Sequence, residues 1–445
     1  MLDMSPEVIA VLMFGLLLFF LSFGYPLGFT LAGVAVGVGF LAFGTRVFNI
    51  LYSQAYGILT NYILVAIPLF VFMGIMIEQS GIGKAVFDTL EIWLHRLRGH
   101  IAIVVVLTGT VLAACVGIIA ASVVMLGLVA LPHMMARGYN KELATGAICA
   151  GGTLGILIPP SVMLVIYGPM AEISVGKLFM AAFGPGLTLS ALYITYIAIA
   201  TLIKSDWAPS GRVADEERVP WGRKIKLLFT SVVPVVVLVL SVLGSIFFGV
   251  AAPTEAAAIG AFVATLLALA HRGLTWSGLK EVIIGTAKVT GMIAVVGIGA
   301  LGFVGVFLVL GGGDVVASFV LAAPGGKWGV FIAIMIIIFI LGMFIDWLGI
   351  IFIMVPLVTP IAEVLGFHEL WFAMMICVNL QMAFMSPPFA PAIYFLQGVT
   401  PPEYGITTSH IIRGVIPFIA LVWVGLGLFI AFPQIILWLP SIMIK

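Results

Sequence analysis

Charge is what this sequence has least of. Asp, Glu, Lys and Arg make up 8% of its 445 residues against 63% hydrophobic ones, and the mean hydropathy is +1.30. A water-soluble core of this size needs far more polar surface, so the solvent of this chain is a lipid bilayer. Cysteine is scarce too. Cys115, Cys149 and Cys377 lie in apolar stretches without metal-ligand spacing, which reads as packing rather than metal binding. The six histidines fall at or near helix ends. A membrane-embedded enzyme would instead need them clustered with acids inside its spans. No G-x-x-x-x-G-K-[ST] run occurs, so the nucleotide-binding signature of an ATP-driven permease is missing. The net charge of +1 leaves no electrostatic footprint for nucleic acid. The first apolar run follows Asp3 and Glu7, without a basic n-region or a clear A-x-A cleavage site, and is expected to stay as a helix begun by Ser5 and Pro6.

What is present is a series of long uncharged runs and one polar linker, Lys204–Lys226. The basic residues of the linker put it in the cytoplasm by the positive-inside rule. Working outward from it predicts an outside N-terminus and ten crossings, about 8–23, 26–44, 60–78, 143–170, 179–203, 228–250, 254–270, 289–310, 369–395 and 414–433. On this layout only Arg46, Lys177, Lys327 and Lys445 of the basic residues face out. Lys288 then ends a cytoplasmic flank, and 45–59 is an outward connection. No Lys or Arg falls in the middle of a predicted span.

Two segments do not read as ordinary spans. Residues 101–132 would make one helix of about 48 Å, long for one crossing and short for two. Basic residues flank the run on both sides (Arg96 and Arg98, then Arg137 and Lys141), so it should enter and turn back. A single tilted helix is the competing account. Residues 328–362, interrupted by Asp346, form a second such hairpin. With no Lys or Arg between Lys327 and Arg413, it should enter from outside. The stretch Gly81–His95 alternates apolar and charged residues with helical spacing and reads as an interfacial arm.

The two halves repeat. A shift of 228 positions carries Pro132 to Pro360, Gly138 to Gly366, Cys149 to Cys377, and the pair Pro159–Pro160 to Pro387–Pro388. Five crossings and a hairpin in each half force the second copy to be inverted, giving repeats at 1–203 and 228–445 around a cytoplasmic linker at 204–227. Inverted repeats with broken helices near the midplane are a transporter design. The breaks fall at Cys115–Ser122, Gly151–Ser161, Gly342–Gly349 and Asn379–Pro388. Freed carbonyls there suit a hard cation such as Na⁺, and freed N–H groups suit a carboxylate. Ser122, Thr153, Asp346, Gln381 and Ser386 are the polar side chains nearest these breaks. Ordinary helix packing is the alternative for Ser122 and Thr153, and a helix cap for Asp346. Glu255 reads as a helix-end charge beside Pro253.

The strings Ala66–Gly74 (AIPLFVFMG), Arg137–Tyr139, Thr145–Ser161 (TGAICAGGTLGILIPPS) and Ala252–Ala257 (APTEAA) resemble the large membrane subunit of tripartite ATP-independent periplasmic (TRAP) transporters, essentially end to end. The resemblance implies an all-α, inverted-repeat, elevator-type fold in the bacterial inner membrane, with two re-entrant hairpins and broken helices. It also implies Na⁺ as coupling ion with no other cofactor, a small organic acid as substrate, and two partners. These are a small membrane subunit of about four helices and a soluble periplasmic substrate-binding protein. Carried onto this chain, the hairpin tips are Gly117–Ser122 and Phe344–Gly349, and the unwound helices Gly152–Ser161 and Gln381–Pro388. The cation set is then Gly117, Ser122, Thr153, Gly155, Asp346, Gly349, Gln381 and Ser386, and the substrate set Ser122, Thr153, Pro159, Asn379 and Pro387. The first tip has Val116, Ala120 and Ala121 where many relatives have hydroxyl residues, so backbone carbonyls carry more of the cation binding there. A transporter of similar design that needs no soluble partner is the alternative.

Overall fold

The computed structural model describes residues 5–117, 119–209, 219–271 and 274–443. The middle of the predicted linker, Arg272 and Lys445 lie outside the described residues. Among the described residues the chain is helical, with no strand. Its helices are α1 (Pro6–Ser22), α2 (Leu27–Phe43), α3 (Val47–Leu59), α4 (Ala66–Gln79), α5 (Ile82–Leu94), α6 (His100–Val116), α7 (Ile119–Ala136), α8 (Lys141–Thr153), α9 (Val162–Ala171) and α10 (Val175–Ile203). After the linker come α11 (Trp221–Leu227), α12 (Val233–Phe247), α13 (Pro253–Ala270), α14 (Trp276–Val309), α15 (Gly312–Leu321), α16 (Gly326–Gly342), α17 (Trp347–Val364), α18 (Glu369–Ala383), α19 (Pro391–Gly398), α20 (Thr408–Ala431) and α21 (Gln434–Ser441). Nine helical runs among the described residues are long and apolar enough to cross a membrane. Large apolar side chains such as Phe19, Phe29, Tyr52 and Phe262 point outward. Lipid tolerates that surface and water does not.

The predicted hairpins are present as paired helices. At the base of the first, the Arg137 guanidinium at the end of α7 lies 3.0 Å from the His100 ring at the start of α6, and the Tyr139 hydroxyl accepts from the Ile101 N–H at 3.2 Å. The two ends of 101–132 therefore meet, which rules out the single long helix. Glu91 of the arm α5 pairs with the same Arg137 at 2.7 Å. In the second hairpin Trp328 of α16 meets Phe367, just beyond α17, edge-on, and Phe331 packs against it at a tilt.

The shift seen in the sequence reappears in the backbone. Helix α7 spans 119–136 and α17 spans 347–364, and α8 starts at Lys141 where α18 starts at Glu369. Both hairpins close in the same way. Gly138 and Gly366 take positive φ (73° and 69°). Tyr139 and Phe367 donate back to the carbonyls of Met134 and Ala362, and the glycine N–H groups donate to Met135 and Glu363. This is the glycine-terminated helix end in which two otherwise orphaned carbonyls are satisfied, and a Cβ opposes the φ it requires.

Two groups of helices pack against each other. A wall is built from α1–α4 and α12–α14, with α14 crossing α2, α3 and α4. A core holds both hairpins and the broken helices α8–α9 and α18–α19, flanked by α10 and α20. Helix α8 lies so close to α20 that a Cβ on Gly146 would strike the Gly414 carbonyl.

Two expectations fail. Residues 45–59 are not a connection: α3 continues α2 through a short 3₁₀ turn, giving a helical run over Leu27–Leu59. Arg46 sits in that turn and does not end the apolar run. Helix α14 likewise starts at Trp276, not near 289, so Lys288 lies well inside a helix of 34 residues, about 51 Å long.

Candidate functional site

Each hairpin tip rests on the break of its own half. Helix α6 stops at Gly117 with φ 62°, and a side chain there would begin 3.6 Å from the Val162 nitrogen and 3.7 Å from the Pro160 oxygen. The gap before α9 is bridged by Ser161, whose hydroxyl donates to the Ile156 carbonyl. In the second half the Met343 carbonyl at the tip accepts from the Phe389 N–H at 3.0 Å. The Pro159–Pro160 and Pro387–Pro388 peptides are both cis.

Between these tips and the wall lies a cavity of about 640 Å³. The core side presents Gly117, Ile119, Val162, Asp346, Trp347 and Pro391, and the wall side Leu27 with its neighbours and the α14 face from Lys288 to Val296. Five of these residues are the first of their helices: Leu27 of α2, Ile119 of α7, Val162 of α9, Trp347 of α17 and Pro391 of α19. The starts of α2 and α9 have no side-chain cap, whereas α19 begins at Pro391, which has no N–H, and its Ala392 N–H donates to the Phe384 carbonyl at 3.1 Å. A helix start leaves unpaired N–H groups and carries partial positive charge, so ends that converge this way form an anion-binding environment. The remaining lining is mostly apolar. Lys288 and Asp346 are the only acidic or basic side chains among the described residues of this cavity.

Asp346 both caps a helix and lines the cavity. Its Oδ2 accepts from the Leu348 N–H at 3.4 Å as the cap of α17, and the half-buried carboxylate still faces the cavity. Gly117 lines the cavity as well. Gly349 is buried in the first turn of α17, where a Cβ would sit 2.8 Å from both Leu27 and Ile345.

The other predicted residues lie behind this surface. Thr153 donates to the Ala150 carbonyl at 3.0 Å and is satisfied within its own helix. Ser122 is buried, its Oγ unpartnered, 3.1 Å from where a Cβ of Gly155 would be. It borders a separate void of about 90 Å³ shared with Glu78 and Lys84. Asn379 donates from Nδ2 to the Met335 carbonyl at 2.8 Å, tying α18 to α16, and its Oδ1 has no protein partner. Both polar atoms of the fully buried Gln381 are unpartnered too. A buried polar atom without a partner costs about 1–3 kcal/mol. Ser122 Oγ, Asn379 Oδ1 and Gln381 Oε1 are thus buried acceptors without a protein partner. Ser386 is buried near them in sequence; Pro159 and Pro387 shape the breaks without reaching the cavity. The sequence reading missed Lys288. Its signal was the cap: Thr275 accepts from the Gly278 N–H at 3.1 Å and sets the true start of α14.

The family model of the tripartite ATP-independent periplasmic transporter, DctM component, matches residues 14–435. The C4-dicarboxylate TRAP transporter large permease protein DctM of Pseudomonas aeruginosa is 30% identical over 392 residues, covering 86% of this chain and 87% of that protein. The sialic acid TRAP transporter large permease protein SiaM of Vibrio cholerae is 27% identical over 420 residues, covering 94% and 95%. The crystal structure of the Alcanivorax borkumensis YdaH transporter aligns with a TM-score of 0.63 at 16% identity over 95% of this chain and 99% of that one. This last likeness is one of fold.

Proposed function

The chain belongs to the DctM-component family of tripartite ATP-independent periplasmic transporters, and from that premise we propose that it carries a small organic acid inward, coupled to Na⁺, after delivery by a periplasmic binding protein. It is a multi-pass inner-membrane transporter subunit. The observation that carries the finer reading is the convergence of helix starts on a cavity between core and wall. A carboxylate placed there meets unpaired N–H groups and partial positive charge, worth about 0.3–1 kcal/mol per helix end at exposed sites. The substrates in the names of two relatives, a C4-dicarboxylate and sialic acid, both carry such a group.

Na⁺ fits the acceptors behind the cavity. Ser122 Oγ, Asn379 Oδ1 and Gln381 Oε1 offer neutral oxygen atoms without protein partners, the ligand type a hard monovalent cation takes. The inverted halves, 1–203 and 228–445 about the 204–227 linker, would bring the two sets of broken helices to one depth. Movement of the core along the wall, as an elevator, would then expose the cavity to each side in turn.

The test is uptake into proteoliposomes holding this chain and its small membrane partner, with the cognate binding protein added in excess outside. The labelled acid is the one that most stabilises the cognate binding protein in a panel of carboxylic acids. Uptake should require an inward Na⁺ gradient. Full uptake in K⁺-only buffer without a proton gradient would remove Na⁺ from the mechanism.

A further inference from the structure

Resting on the transport reading above, we propose that Lys288 is the anion anchor contributed by the wall, meeting the substrate only while the cavity faces the cytoplasm. The cavity's two charged side chains stand on different bodies: Asp346 on the core hairpin tip and Lys288 on α14 of the wall. They do not pair with each other; the ion pairs of the described residues include Arg137–Glu91 and Arg413–Glu142 instead. Lys288 is exposed where it lines this cavity and has no carboxylate partner there, so its ammonium is free to meet an anion.

The sidedness follows from position. Lys288 lies inside α14, twelve residues from its start and so nearer that end, which the charge distribution places in the cytoplasm, than the other. The helix starts of α7, α9 and α19 belong to the core and travel with the substrate. Lys288 stays behind with the wall. It therefore adds affinity at one end of the stroke, stabilising arrival of the anion, and does not bind it during the outward-facing half of the cycle.

The test uses the assembled membrane complex with the same labelled acid as above. Exchange is measured from the cytoplasmic face in inside-out vesicles, and binding-protein-dependent uptake from the other face. Lys288→Gln should raise the cytoplasmic-side KM about tenfold or more, the loss of one charge-assisted contact, and raise it more than the KM for uptake. Lys288→Arg should keep most of the affinity. Lys288→Cys should lose it and regain it when an aminoethyl thiosulfonate restores an ammonium, a recovery that a purely structural role does not give. Equal KM changes on both faces, or no recovery on restoring the charge, overturns the proposal while leaving Na⁺-driven uptake intact. Absence of Na⁺-driven uptake in the wild-type complex is instead a failure of the transport reading itself.

Discussion

A carboxylate that caps a helix and a carboxylate that serves a ligand make different demands on one side chain, and Asp346 is placed to meet both. Capping needs only an acceptor oxygen for the Leu348 N–H, which asparagine also supplies. Serving a cation or a substrate donor needs the negative charge. Asp346→Asn separates the two, since it leaves the helix start intact and removes the charge from the cavity. We expect it to lower transport about tenfold or more while the protein keeps its thermal stability. Glu255 is the control. It accepts from the Ala252 N–H at 2.8 Å at the start of α13, far in the chain from both hairpins, and Glu255→Gln keeps an acceptor there. Equal, mild effects of the two substitutions on uptake would reduce Asp346 to a cap.

At the scale of elements, the hairpins are where reading and structure meet most closely. Their positions were legible because charge marks the water side of a helix end and because Gly138 and Gly366 are needed where a helix must stop on a positive φ. The start of α14 was not legible by the same rule. A lysine reads as the limit of a span, yet a helix lining a cavity can carry one inside it. The site was legible at the broken segments and at Gly117 and Asp346, which line the cavity, but not at the other residues. Ser122 and Thr153 do not line the cavity, because which side of a helix faces a void is decided by packing partners distant in sequence. The hairpin reading makes a direct claim. Leu97 and Ala136 flank the first hairpin at exposed positions. With the buried Cys115, Cys149 and Cys377 replaced, Leu97→Cys and Ala136→Cys should both react with an impermeant thiol reagent from the cytoplasmic side only. Reaction of one from each side would mean that 101–132 crosses the membrane, and the inverted repeat would fall with it.

At the scale of the whole molecule, the question is how a dilute solute reaches a cavity buried between core and wall. Among the described residues, helices are joined by short connections and form no large polar domain. The outward-facing connections predicted near 171–178, 251–253 and 363–368 are a few residues each, and 311–328 is largely taken up by α15. These surfaces carry few charges, with Lys177 and Lys327 the basic residues among them. Such a face can seat a folded protein over a broad area, since specific interfaces need roughly 800 Å² per partner. It offers little field to concentrate an anion, because steering depends on clustered charge. Capture is then the task of the soluble partner that a tripartite family implies. This chain with its small membrane partner alone should give negligible uptake, restored by an excess of the cognate binding protein. A binding protein from another system with the same ligand should not substitute, because docking selects a surface rather than a solute. Saturable uptake by this chain with no soluble partner would refute the tripartite reading and favour a transporter that works alone.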